Sequence, residues 1–177
     1  MNLNSYFDKA MSYTQFLNEL GDNLELYTLH YNRFEIDPKY KETIEKLPPV
    51  NILVISEPWC GDSLAIIPVV YKMNECNKSW TFKVIRRDDN PELMDKFTRN
   101  NARSIPLFLF LDLQGELLFW WGPRPVSAQK IYDDHRQRIE SGELEKSMVT
   151  KKIRNFYAKN RGQDTALELM SNIWEKI

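Results

Sequence analysis

At 177 residues, with 42% hydrophobic and 28% charged side chains and a formal net charge of −1, the chain can bury a proper core and fits one decorated domain better than two. This balance gives no reason to expect nucleic acid as a partner. No apolar run approaches the ~18 residues needed to span a membrane, and the start, with Asn2, Asn4 and Asp8, lacks the basic end and apolar stretch of a secretory signal. The expected location is therefore the cytoplasm. Two cysteines, Cys60 and Cys76, are too few for a disulfide-stapled scaffold, so each is judged on its own surroundings.

Along the chain, Phe7, Met11, Phe16, Leu17 and Leu20 recur at helical spacing and predict a helix from Ser5 to Leu20, with Gly21 as its stop. A second helix carries Leu24, Tyr27, Tyr31 and Phe34 on one face. Asp37-Pro38 then reads as N-cap and first-turn proline of a short helix that ends near Leu47, before Pro48-Pro49. Residues 1–49 are thus expected to form an N-terminal helical extension.

The pattern changes at Val50. Ile52, Leu53, Val54 and Ile55 form an unbroken apolar run, which suits a strand buried on both faces. Asp62 to Cys76 reads as a helix that is apolar almost all round and must lie against the core. Trp80 to Arg86 is a second strand, and Asn90-Pro91-Glu92 opens a second helix with Leu93, Met94 and Phe97. Pro106 to Leu111 and Glu116 to Trp121, separated by Gln114-Gly115, predict an antiparallel hairpin. A helix from Val126 to Glu140, stopping at Gly142, closes this unit over residues 50–142. Two amphipathic helices on either side of Arg161-Gly162 make residues 143–177 a C-terminal helical extension packed on the domain.

Glu57-Pro58-Trp59-Cys60-Gly61-Asp62-Ser63 lies between the first strand and the first core helix. Pro68 follows inside that helix, Ser104-Ile105-Pro106 precedes the hairpin, and Gly122 follows it. Taken with the order strand, helix, strand, helix, hairpin, helix, these residues resemble the thioredoxin-like superfamily and its Trp-Cys-Gly-Pro-Cys site. The resemblance spans roughly residues 50–142. It implies an α/β thioredoxin-like fold, a central mixed sheet flanked by helices. It also implies a cis-proline at Ile105-Pro106 beside the nucleophile, and Gly122 lining the same surface. Ile105 and Pro106 would pair with an extended substrate, with Trp59, Gly61, Asp62 and Gly122 completing the substrate-binding face.

The physics of Cys60 points to reactivity without the family name. Helix N-terminal amides lack intrahelical partners and the dipole there favours an anion, so a thiolate at this position is stabilised. Asp62 opposes this by like-charge repulsion. The sequence predicts an accessible, moderately activated thiol.

Two departures from the family's dithiol pattern are informative. Ser63 stands where the resolving cysteine would be, so Cys60 forms a mixed disulfide that it cannot resolve internally. Cys76 is no rescue, because sixteen residues of helix set it roughly 24 Å away and a disulfide needs Cα atoms within about 7 Å. Val54 stands where the family keeps a buried acid that serves the missing second thiol. The catalytic residues implied are Cys60 with Ser63, and the expected activity is monothiol thiol-disulfide exchange. No bound cofactor is expected; glutathione or another low-molecular-weight thiol is the expected co-substrate, and a disulfide-containing protein or such a thiol is the expected partner. The alternative is a non-catalytic thioredoxin-fold adaptor.

Other signals are discounted. His30 and His135 read as helix-face residues, and no Cys-His cluster has zinc spacing, so no metal is expected. Arg86-Arg87 either reaches the site to bind thiol carboxylates or simply ends a charged strand. The basic residues between Glu143 and Gly162 read as a solvated helix face. The oligomeric state is open.

Overall fold

The structure, a computed structural model, describes residues 1–99 and 101–177. Its elements in chain order are α1 (Asn4–Lys9), β1 (Met11–Ser12), α2 (Tyr13–Asn18), α3 (Leu24–Arg33), α4 (Pro38–Glu45), β2 (Asn51–Ser56), α5 (Gly61–Asn74), β3 (Thr81–Arg86), α6 (Pro91–Met94), β4 (Leu107–Leu111), β5 (Leu117–Trp121), α7 (Val126–Asp133), α8 (Arg136–Glu140), α9 (Lys146–Asn160) and α10 (Gln163–Lys176). The strands form one mixed sheet in the order β1-β3-β2-β4-β5. β2 runs parallel to β3 and antiparallel to β4, and β4 and β5 form the expected hairpin.

The apolar run of β2 is fully buried because helices cover both faces of the sheet. Strand alternation divides the side chains between two cores. Ile52, Val54, Phe82, Val84, Phe108, Phe110 and Trp121 face one side, where α3, α5, α9 and α10 contribute Tyr27, Ile66, Ile153 and Leu169. Leu53, Ile55, Ile85, Leu107 and Leu109 face the other, covered by Leu3 and Phe7 around α1 and by Leu93, Met94 and Phe97. The first core draws on residues from Phe16 to Ile173, so the terminal helices share it with the sheet. At the join of the last two helices Gly162 has φ +82°, and a Cβ there would overlap Val69.

The predicted helix over Ser5–Leu20 is broken. Met11 and Ser12 leave the helix to pair antiparallel with Val84 and Lys83 as the sheet's edge strand, and Ser12 then starts α2 through a capping box with Gln15. The helical spacing was correct on both sides, but sheet pairing outweighed it for two residues. The predicted helix over Val126–Glu140 is likewise split between Asp133 and Arg136, where the His135 imidazole Nδ1 sits 2.8 Å from the Ile131 carbonyl. Among the described residues no helix is long and apolar enough to cross a membrane.

Candidate functional site

Cys60 is the N-cap residue of α5, in extended backbone (φ −78°, ψ 117°), and its carbonyl accepts the first helical hydrogen bond from Leu64 at 3.1 Å. The expected position is therefore found, but the expected accessibility is not. Cys60 is 8% exposed and packs with Ile105 and Leu107 in the second core. Its Sγ donates to the Ile105 carbonyl at 3.5 Å, a contact that only the protonated thiol makes. Burial pushes the thiol pKa up, and the Asp62 charge adds to this. The Ser63 hydroxyl and the amides of Asp62 and Ser63 face the sulfur and pull the other way. The net direction is upward, opposite to the activation the sequence predicts. Burial wins over the helix N-terminus because desolvating an anion costs more than the exposed end of a helix dipole returns.

Ile105-Pro106 is cis, as the resemblance implied, and Gly122-Pro123 is a second cis bond. Gly122 lies directly against this turn: its φ is +128°, and a Cβ would overlap the Pro106 carbonyl oxygen and press on Leu107. Glycine is thus required there on two counts. Cys60, Ile105, Pro106 and Gly122 are brought together.

Ser63 is completely buried, and Ser56 Oγ at the end of β2 donates to its Oγ at 2.8 Å. This hydroxyl pair occupies the space behind the sulfur. Val54, on the same strand, is buried among apolar neighbours.

The Asp62 carboxylate is held by a set of partners that sequence reasoning missed. Arg124, just beyond β5, reaches its Oδ2 with Nε at 2.8 Å and Nη2 at 2.6 Å, and the Tyr157 hydroxyl of α9 donates to Oδ1 at 2.7 Å. Tyr157 is buried, and burial together with the Asp62 charge holds its pKa far above the usual range. Arg154, one turn earlier on α9, lies over Gly61, its guanidinium 3.5 Å from where a Cβ would be. No local pattern could have announced these, because the partners lie 62 and 95 positions from Asp62.

Trp59 is 57% exposed, with the Arg87 guanidinium 5.0 Å over its ring. Arg87 therefore does reach the site. Arg86 instead pairs with buried Glu57 at 3.1 Å and with Glu19 at 3.4 Å. Trp120 and Trp121 take opposite faces as expected: Trp121 enters the first core, while Trp120 packs on Phe97 under the Arg99 guanidinium. Cys76 lies past the far end of α5 and both cysteines are free.

The fold and site define a thioredoxin-fold protein with one thiol at the head of its central helix. A family model described as thioredoxin matches residues 10–137, a span that begins just before β1, and the chain belongs to that thioredoxin family. Among solved structures it is similar to a protein of unknown function from Pseudomonas aeruginosa, at 15% identity and a TM-score of 0.75, covering 100% of this chain and 99% of that one. It is also similar to an HIV epitope scaffold, at 15% identity and a TM-score of 0.73, covering 100% of both chains. At such identity the likeness shows the shared fold alone. No curated protein matches the sequence.

Proposed function

We propose that this chain is a monothiol thiol-disulfide exchange protein. The Cys60 thiol loses its proton to solvent, and the thiolate attacks one sulfur of a disulfide. A Cys60 mixed disulfide forms, and the other sulfur departs as a thiolate. An external thiol such as glutathione then attacks the mixed disulfide on the substrate sulfur, giving a new disulfide and restoring Cys60. The observation that carries this reading is the contact of Cys60 Sγ with the Ile105 carbonyl at 3.5 Å, which sets the sulfur against a backbone edge suited to an extended substrate. Ser63 in place of a second thiol makes the external thiol necessary.

The test is the intact mass after incubation with oxidised glutathione. One glutathione adduct on Cys60, reversed by reduced glutathione and absent in Cys60→Ser, is the expected result. A second reading, a non-catalytic adaptor that binds partners through the same face, draws on the burial of Cys60 and the upward shift of its pKa. Alkylation of Cys60 no faster than that of a free thiol, together with no glutathione adduct, would establish the adaptor instead.

A further inference from the structure

A groove of about 390 Å³ begins at Ser104 and Pro123. Both are chain neighbours of residues at the thiol: Ser104 precedes Ile105, whose carbonyl accepts from Cys60 Sγ, and Pro123 follows Gly122, which abuts Pro106. The groove therefore opens where a molecule joined to the sulfur would pass the cis-proline turn. Its walls carry four cations, Arg99, Arg124, Arg136 and Lys146, against two acids, Asp133 and Glu140.

Once these charges are paired, Arg99 and Lys146 remain against Asp133, whose carboxylate accepts only from the Gln129 amide, so the balance is still positive. Arg124 is committed to Asp62, and Arg136 binds Glu140 at 2.7 Å. Among the described residues Arg99 and Lys146 make no ion pair within 4.0 Å, and the Arg99 guanidinium lies over the Trp120 ring at 5.3 Å. Exposed Arg154, over Gly61 next to Cys60, likewise makes no ion pair among the described residues. The volume lies at the small-ligand end of binding clefts, about 300–1,000 Å³.

From this placement we infer that the groove takes the carboxylates of a low-molecular-weight thiol or disulfide whose sulfur meets Cys60, with Arg99 and Lys146 as the residues that select it. The inference rests on the exchange reading above and names its substrate class. A cleft whose net charge is positive favours the encounter of an anion over a cation, most strongly at low salt, and the low end of such steering is about tenfold.

Three disulfides of similar reactivity test it at low ionic strength: oxidised glutathione, which is anionic; bis(2-hydroxyethyl) disulfide, which is uncharged; and cystamine, which is dicationic. The rate of Cys60 adduct formation is followed by intact mass. Glutathione is expected to lead cystamine by about tenfold, with the lead shrinking in added salt. The Arg99→Gln/Lys146→Gln variant should bring the ratio close to unity, while Lys78→Gln, a charge change at the far end of the sheet, leaves it in place. Equal rates for all three disulfides in the native chain would overturn the inference while leaving exchange intact. Binding of unreactive S-methylglutathione, read by calorimetry, separates the other case. If it binds and the double variant weakens it, the groove is confirmed even where no adduct forms and exchange has failed. If it does not bind and no adduct forms, both readings fall.

Discussion

Asp62, two residues after Cys60, and Arg124 form a largely buried ion pair, with Nε and Nη2 of the arginine both on one carboxylate oxygen. This pairing cancels much of the repulsion that Asp62 alone would exert on a Cys60 thiolate. The other charged groups around the site are Arg154 and Arg87, with Glu57 held by Arg86. Asp62→Asn should therefore speed iodoacetamide alkylation of Cys60 at neutral pH, by roughly three- to tenfold. Arg124→Gln should slow it by a similar factor, and the double variant should return near the native rate. A slower Asp62→Asn would show that the carboxylate does not act on the sulfur through its charge.

Cys60 also links stability to pH. Its pKa is raised in the folded state, chiefly by burial. Above the free-thiol pKa of about 8.5 the folded chain then holds a proton that the unfolded chain has lost, and stability falls as pH rises. Urea midpoints of the native chain should drop more steeply than those of Cys60→Ser between about pH 8 and 10, by at most ~1.4 kcal/mol per pH unit. Parallel curves would mean that the buried thiol titrates normally.

Ser63 sits behind Cys60 in the place of a resolving thiol, bonded to Ser56. Ser63→Cys should let the two thiols close an internal disulfide under mild oxidation, seen by mass as the loss of a pair of hydrogens. The glutathione adduct of the native chain would become transient in this variant. Exchanging the 2.8 Å bond from the Ser56 hydroxyl for its longer contact with the Glu57 carbonyl, at 3.5 Å, should cost about 1 kcal/mol of stability in the reduced form.

Gly122 and Gly21 make a controlled comparison. Both have positive φ, but a Cβ at Gly122 meets the Pro106 backbone, which cannot move aside, whereas nothing lies within 4 Å of one at Gly21. Gly122→Ala should cost about 3 kcal/mol or more, and Gly21→Ala about 1–2 kcal/mol. Chemical denaturation of the pair measures the difference, and equal costs would place the strain in φ alone.

Much of the site was legible because its parts are local or bracket a strand. The apolar run at Ile52–Ile55 marked β2, the turn after it marked the head of α5, and Pro106 and Gly122 framed the hairpin. Three features were not legible. β1 is two residues long, too short for any periodicity, and exists only because β3 offers an edge. The burial of Cys60 depends on how closely Ile105 and Leu107 approach from the other side of the chain. Arg124 and Tyr157 are ordinary residues on their own segments, and only the approach of the turn after β5 and of α9 to the start of α5 makes them partners of Asp62.

The grip of Tyr157 on Asp62 has a consequence for anyone treating the Trp59–Ser63 segment as a portable cassette. Moved into another scaffold, that stretch would carry a carboxylate stripped of its counter-ion and its phenol, and the sulfur beside it would be a weaker nucleophile than the letters suggest. The short motif is a signature written at one end of the molecule and countersigned from the other.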